Sequence, residues 1–600
     1  MISQGPPSGR LAAGALVRKS LYETGPAGDA ASQEGLARFY AEITNLHEAK
    51  AALQHLKRGL KHSGAQRFDR AETEALEAVR LAPSLFYAWH LLGIARDKLN
   101  NRAGALEAYE KALALSPENP SVANDLGRLA YRMDMLPQAE TLFRHCLAHK
   151  PAAPEASNNL GTLLRKQMRF DDAIDVLRAS LLAHPGEGML WVTLGTVLSE
   201  AGRLEEAATF YNEALRLNPK DAKAHYNLAG AEFALGDQEG AIERALRAIP
   251  MATSPLEATM LRFSIGSMSL SRGDLAQGWR YYAARLEPSF HDPIKFYAKC
   301  AQWTPQTDIR GRHLMIFGEQ GLGDEIMFAN VLSDVLEELG PEGRLSMAVT
   351  DRLLPFFERS FPQVRFGAHV TMSKDGSAHR FAPFVKDWTE VDYWTPEAEL
   401  LAKYRPTAAA FPERPEGFMR ADPARVAYWR KILDDLPGPK VGLLWSSLIV
   451  NSARHLYYSP FEEWAPVLKA PGLTFVNLQY GDRTADIEFA REKFGVDIYQ
   501  PQGIDLKDDL DEVAALSAAL DLVVGISNAT FNIAAAVGTP AWLISTRGVW
   551  TWLGTRRYPW YSQVRAYEQA TPRDWRAVMA EVGAALSEYA EGGTRLAATG

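Results

Sequence analysis

The chain has 600 residues, 47% hydrophobic and 23% charged, with a formal net charge of −8. These proportions belong to globular protein and exclude a wholly disordered chain, a collagen or a disulfide scaffold, and the length is that of several domains. The acidic balance, 65 Lys and Arg against 73 Asp and Glu, disfavours a nucleic-acid binder.

In chain order, residues 1–49 read as a mobile N-terminal segment and a leading helix. The apolar run at 11–17 lies between Arg10 and Arg18 and has no convincing cleavage site, so no secretory signal is expected. Cys146 and Cys300 are 154 positions apart, which suggests neither a zinc site nor a disulfide framework and fits a cytoplasmic location. The most apolar long stretch, 522–544, contains Asn528, Asn532 and Pro540 and reads as strand, turn, helix, strand rather than a membrane span.

From residue 50 to 286 the chain repeats. Pro83, Pro117, Pro151, Pro185 and Pro219 are each 34 residues apart. Ala71, Ala105, Ala139, Ala173 and Ala207 keep the same step, as do Ala75, Tyr109, Phe143, Leu177 and Tyr211. Small residues let paired helices approach, the larger residue is a knob into the neighbouring helix, and proline stops the second helix. No single unit can bury its apolar face, so the units must stack into an all-α solenoid. The pattern resembles the tetratricopeptide repeat family, whose concave groove implies a protein partner. Asp125, Asn159, Thr193 and Asn227 form a polar ladder at the same period and are candidate acceptor-binding residues. Asn side chains can pair with the backbone of an extended segment; a solvated helix face is the plainer alternative.

After about residue 286 strand-like apolar runs alternate with amphipathic helices, which predicts parallel sheets covered by helices. Strands are expected at 313–317, 345–349, 441–445, 473–478, 522–524 and 541–544. Helices are expected at 324–339, 353–361, 461–468, 487–494, 510–520 and 574–589, the last packing back across the two halves. Four prolines between 405 and 423 mark a linker, so one doubly wound half spans 287–415 and a second 416–600. Two such halves place a cleft between their strand carboxyl ends, where ligands bind.

Two motifs line that cleft. GEQGLGD at 318–324 follows a strand and opens a helix, without the Gly-Lys-Ser/Thr of a P-loop or the dinucleotide fingerprint. Its glycines permit close backbone approach and its helix N-terminus favours anions; a tight turn capped by Asp324 is the plain alternative. The second motif, VVGISNATFNIAAAVGTP at 523–540, sets Ser527, Asn528 and Thr530 at a helix start suited to a phosphate.

Together, the strand–EQGLGDEI–helix opening, the ALDLVVGISNAT segment and the preceding repeats resemble bacterial tetratricopeptide–glycosyltransferase fusions of the GT-B fold. These are related to the O-linked N-acetylglucosamine transferase and heptosyltransferase groups. The flagellin-modifying fusions of alphaproteobacteria fit best. The resemblance implies an inverting, metal-independent protein O-glycosyltransferase with no cofactor. Its donor would be a nucleotide sugar, such as a CMP-linked pseudaminic or legionaminic acid. Its acceptor would be a Ser or Thr of flagellin, or of another secreted protein held by the solenoid. It makes Asp324 the expected base, although a helix N-terminus is expected to lower that carboxyl's pKa. Gln320, Gly321, Gly323, Trp445, Ser446, Arg454, Gln479, Ser527, Asn528, Thr530 and Asn532 become donor-binding candidates, each of which could equally be a packing residue. Many relatives carry an Asp-Thr pair where this chain has Ser527-Asn528, which keeps open a non-catalytic scaffold or a transferase acting on a glycan or lipid precursor. Asp509 and Asp511 have metal-motif spacing but read as the acidic first turn of a helix. The aromatic run 550–561, with Arg556 and Arg557, either covers the cleft or packs the domain.

Overall fold

In the computed structural model, which describes residues 30–374, 377–447, 454–571 and 574–592, the repeat period is visible in the helix starts. Helices begin at Phe68, Arg102, Leu136, Phe170, Leu204 and Gln238, and their partners at Phe86, Pro120, Pro154, Gly188 and Ala222, each series at steps of 34. The first helix, α1 (Ala30–Gly64), is longer than one repeat, and the expected mobile segment lies largely outside the described residues. The repeated spacing has a steric cause. A Cβ on Gly93 would lie 2.5 Å from Tyr109, one on Gly127 2.7 Å from Phe143, and one on Gly195 2.6 Å from Tyr211. At each level the knob of one helix therefore rests on the bare backbone of the helix before it. Side-chain caps on Asn101, Asn119, Asp221 and Asp237 satisfy the helix-start N–H groups.

The solenoid closes with α2 (Pro255–Arg272) and α3 (Leu275–Tyr282), followed by a 3-10 turn, Ala283–Leu286. The described chain forms two compact units. One runs to Leu163 and takes in Asp175–His184; the other comprises Leu164–Ile174 and everything from Pro185 onward. The division thus falls inside the repeats rather than after residue 286. Within the second unit the reason is plain. The indole N–H of Trp279 donates to Arg405 O at 2.9 Å, and Gly273 lies against Leu553 and Gly554. The last repeats share a core with the α/β region.

That region contains two five-stranded sheets and one smaller sheet. β2 (Ala301–Gln302), β3 (His313–Phe317), β4 (Arg344–Val349), β5 (Arg365–Ala368) and β8 (Tyr393–Pro396) form an all-parallel sheet in the order β2-β8-β3-β4-β5. β9 (Lys440–Leu444), β10 (Thr474–Asn477), β11 (Leu522–Gly525), β12 (Ala541–Ser545) and β13 (Val564–Glu568) form another, in the order β10-β9-β11-β12-β13. β1 (Ile294–Phe296), β7 (Ser377–Phe381) and β6 (Val370–Lys374) make the small sheet, parallel between β1 and β7 and antiparallel between β6 and β7. The six expected strands are present. Those missed are short, edge or mixed in burial, so no apolar run announces them.

Two helical expectations need correction. The helix expected at 324–339 starts earlier, as α4 (Leu322–Phe328), tightens to 3-10 at Ala329–Val331 and resumes as α5 (Leu332–Leu339). The proline-rich linker does not hang free. The N–H groups of Phe418 and Met419 both donate to Ala536 O at 2.9 Å, and the chain then enters α6 (Pro423–Leu433). As expected, α7 (Leu510–Ala518) is capped by Asp509, while Asp511 accepts both N–H groups of the Arg359 fork at 2.6 Å. The final helix, α9 (Trp575–Ala590), does not bridge the halves, because Trp575, Val578, Met579 and Val582 complete the core of the second sheet. The remaining helix of the site, α8, spans Ala529–Ala536.

Candidate functional site

The carboxyl edge of the first sheet carries a cluster of buried charge. Phe317 and Pro396 are paired in register, so the turns after β3 and β8 lie side by side and bring Glu319 and Glu397 to the same edge. Glu319 is 1% exposed, and Arg285 forks it at 2.7 and 2.9 Å. It also accepts the Ala398 N–H at 2.8 Å. Glu325, one residue beyond Asp324, accepts the N–H and hydroxyl of Thr350, both at 2.9 Å, and His369 Nε2 at 3.2 Å. Arg380 reaches in from β7, donating to Gly318 O and, at 3.1 Å, to Thr371 Oγ1. Glu397 is fully buried and neither of its carboxylate oxygens has a hydrogen-bond partner. Burial, compounded by Glu325, Glu319 and Asp324, pushes its pKa well above the ordinary value.

Asp324 lies beside this cluster. It is the third residue of α4, half-buried, and accepts the Gly321 N–H at 3.1 Å; it is not the cap, since Gly321 holds that position. The expectation of a lowered pKa is corrected. Burial raises it to about 6; the Gly321 N–H pulls down, Glu319 and Glu325 push up, and Arg454 pulls down. Loss of hydration outweighs the helix terminus here. Gln320, just before, has φ of 62°, a left-handed backbone in a residue with a side chain. Its amide donates to Tyr282 OH at 2.5 Å.

The second motif meets the first directly. A Cβ on Gly323 would lie 3.1 Å from Asn532 Nδ2 and 3.5 Å from Ala529, so the starts of α4 and α8 touch. Asn528 caps α8 through Phe531 N–H at 2.9 Å, leaving its buried Nδ2 without a partner. Gln479, fully buried, accepts Trp445 N–H at 3.1 Å and Ser446 N–H at 2.9 Å, and its Nε2 also lacks a partner. Two amide donors are thus unsatisfied at the carboxyl edge of the second sheet. Such donors beside a helix N-terminus suit an anionic ligand. Ser527 is exposed, Ser446 half-buried, and Arg454 exposed yet close enough to act on Asp324.

Other candidates face inward. The Trp445 indole is buried and donates to Asp486 at 2.8 Å, Thr530 is 1% exposed, and Asn532 links Asn528 O at 2.9 Å to Tyr561 OH at 2.8 Å. These three hold the site rather than line it. In the aromatic run, Tyr558, Trp560 and Tyr561 are buried in the main core while Arg556 and Arg557 are exposed, so the run packs the domain. The solenoid ladder is half-buried and already bonded. Asp125 accepts His90 at 2.9 Å, Asn159 donates to Asn124 at 3.0 Å, and Asn227 donates to Thr196 at 3.3 Å; Thr193 is half-buried too.

Tetratricopeptide repeat models match residues 86–119, 124–188 and 192–258. Protein FlbA of Caulobacter vibrioides is 46% identical over 567 residues, 94% of this chain and 94% of that protein. The chain belongs to the FlbA family. Solved repeat proteins resemble it more distantly. Pseudomonas aeruginosa PilF is 18% identical, with a TM-score of 0.32, covering 35% of this chain and 96% of its own. The pilus biogenesis factor PilW is 21% identical, with a TM-score of 0.32, covering 35% and 97%.

For this FlbA-family chain, sequence reading missed the residues that surround Asp324 from a distance: Tyr282, Arg285, Thr350, His369, Arg380 and Glu397. They come from five separate segments, and only the tertiary fold brings them together. Tyr282 was hidden by its place in the last, degraded repeat, where it follows Gly266 at the spacing that separates Gly93 from Tyr109. Among the described residues no helix is long and apolar enough to cross a membrane.

Proposed function

We propose that the chain is a protein O-glycosyltransferase of the GT-B type, acting on a polypeptide held by its tetratricopeptide repeats. The observation that carries this reading is Asp324. It is a half-buried carboxyl with a pKa raised to about 6, on a helix whose start touches the start of α8, where the Asn528 amide is an unsatisfied donor. In the proposed reaction Asp324 takes the proton of an acceptor Ser or Thr hydroxyl. The hydroxyl oxygen bonds to the anomeric carbon of the sugar, and the bond from that carbon to the nucleotide phosphate breaks. The bonding pair leaves with the phosphate oxygen. Arg454, the Gln479 and Asn528 amides and the N–H groups of α8 supply positive potential for that charge. Closeness of Asp324's pKa to neutrality suits a base that must work near pH 7.

The proposed donor is a CMP-linked nonulosonic acid and the proposed acceptor is flagellin, both by resemblance. The test is incubation of the full chain with CMP-nonulosonate and flagellin, followed by intact-mass measurement. A mass gain on flagellin that disappears in Asp324→Ala supports the proposal. A second reading, a scaffold with a silent transferase fold, draws support from Ser527-Asn528 and from the inward-facing Thr530 and Asn532. Flagellin binding without any nucleotide binding by calorimetry would favour it.

A further inference from the structure

We infer that Tyr282 and Arg285, from the end of the solenoid, are positioning residues that hold the 318–324 loop and, through it, Asp324. The inference rests on the transferase reading for what Asp324 does, but not for how it is held.

Three observations converge on one loop. First, Gln320 keeps a left-handed backbone although it carries a side chain; such a residue persists only where its surroundings over-determine it, and these residues gather at functional sites. The hydroxyl that grips its amide at 2.5 Å belongs to Tyr282, the last residue of α3. Second, the neighbouring Glu319 is forked by Arg285, one turn further along the chain, and the pair is almost fully buried. Arg285 also donates to Tyr282 O at 3.1 Å and to Glu399 at 2.9 Å, and its guanidinium lies 4.6 Å from the centre of the Tyr282 ring. A buried ion pair is a poor source of stability, because desolvation offsets most of its attraction; what it supplies is a fixed geometry. Third, the far end of the same loop is tied to Asp324 by the Gly321 N–H bond. The path from solenoid to carboxylate is therefore Arg285–Glu319 and Tyr282–Gln320, then Gly321, then Asp324.

Tyr282 is itself immobilised. Its ring centre is 6.0 Å from that of Trp279 and 5.3 Å from that of Trp550. The repeat module thus contributes to the site as well as standing beside it.

Asp324 is faced by Glu319 and Glu325 from its own loop and helix, by Glu397 after β8, by Tyr282 from α3, by Arg454 after β9, and by Tyr558 and Tyr561. Loosening the loop lets water reach it and weakens the push from burial. The experiment uses the full chain with 13C-labelled aspartate carboxyls, the Asp324 signal being identified by its loss in Asp324→Asn. Wild type should titrate near pH 6. Tyr282→Phe, which removes one hydroxyl, should lower that midpoint by about one pH unit, a roughly tenfold change in proton affinity. Glycine adopts the left-handed turn unaided, so adding Gln320→Gly to Tyr282→Phe should restore the midpoint. An unmoved midpoint in folded Tyr282→Phe, or no recovery in the double variant, overturns the inference. The titration needs neither donor nor acceptor. An inactive wild type with these shifts would therefore refute the transferase reading alone.

Discussion

Gly554 stands directly against Gly273: a Cβ at position 554 would lie 2.5 Å from Gly273 Cα, and both glycines have left-handed backbones, with φ of 70° and 91°. One closes helix α2 of the last repeat and the other lies in the aromatic run of the second α/β half. Alanine at 554 therefore meets both backbone strain, about 1–2 kcal/mol, and a collision with main chain that cannot swing aside, about 1–3 kcal/mol. At 273 the nearest neighbour is more distant, Leu553 O at 3.3 Å. Thermal unfolding should show Gly554→Ala as clearly less stable than Gly273→Ala. Equal melting temperatures would mean that this contact does not join the two regions.

Inside the repeats the contact is between glycine and a ring. A Cβ on Gly127 would approach Phe143 to 2.7 Å, and Phe143 is 1% exposed, with little room to turn. Gly127→Ala should destabilise by about 1–3 kcal/mol. Gly127→Ala with Phe143→Leu should recover little of that loss, since a Cβ on Gly161 would still lie 2.8 Å from Leu177 one period on. Denaturant titration of the two variants reads the recovery as a non-additive free energy.

Glu397 offers a test by pH. Its folded-state pKa lies well above its ordinary 4.5, so the folded protein binds its proton more tightly than the unfolded chain does. Its favourable contribution is full below about pH 4.5 and is lost as pH rises through the folded pKa. Glu397→Gln, which cannot ionise, should match wild type in acid and exceed it in thermal stability at alkaline pH. A stability difference that does not change with pH would show that Glu397 is ionised in the fold.

The repeats were legible because the same steric problem is solved every 34 residues, so Pro83 to Pro219 and Ala71 to Ala207 mark it openly. The parallel strands were legible where both faces are buried, as at His313–Phe317, whose five residues are all buried. Val564–Glu568 was not, because only Val564 and Tyr567 are buried, which leaves neither an apolar run nor an alternation to see. The GEQGLGD turn and the SNAT helix start could be found locally, and they do touch through Gly323 and Asn532. What sequence could not give is the balance of forces on Asp324. A helix start alone argues for a lowered pKa; the opposite sign comes from burial and from Glu319 and Glu325, and burial is a property of the assembled fold. Arg285 and Glu319 are likewise 34 positions apart with no local pattern linking them.

The strongest expectation concerns Asp324 itself. A base must be ionised to accept a proton, so transfer should rise with pH through about 6 and level off above it. Arg454 favours the ionised form, so Arg454→Gln should move that rise to higher pH while also weakening nucleotide binding. Asp324→Asn should lower transfer by about 10²–10⁴-fold with nucleotide affinity retained. The same substitution should make the protein more stable. Ionising Asp324 is harder in the fold than in the unfolded chain, so stability present below the ordinary 3.8 is lost as pH rises towards about 6. Asparagine escapes that loss, and the gain at neutral pH is bounded at about 3 kcal/mol, less in proportion to the solvent that reaches the carboxyl. A variant that is inactive and more heat-resistant marks a carboxylate kept for chemistry at the expense of stability. An Asp324→Asn protein that is inactive and also less stable at neutral pH would instead assign the residue to holding the loop.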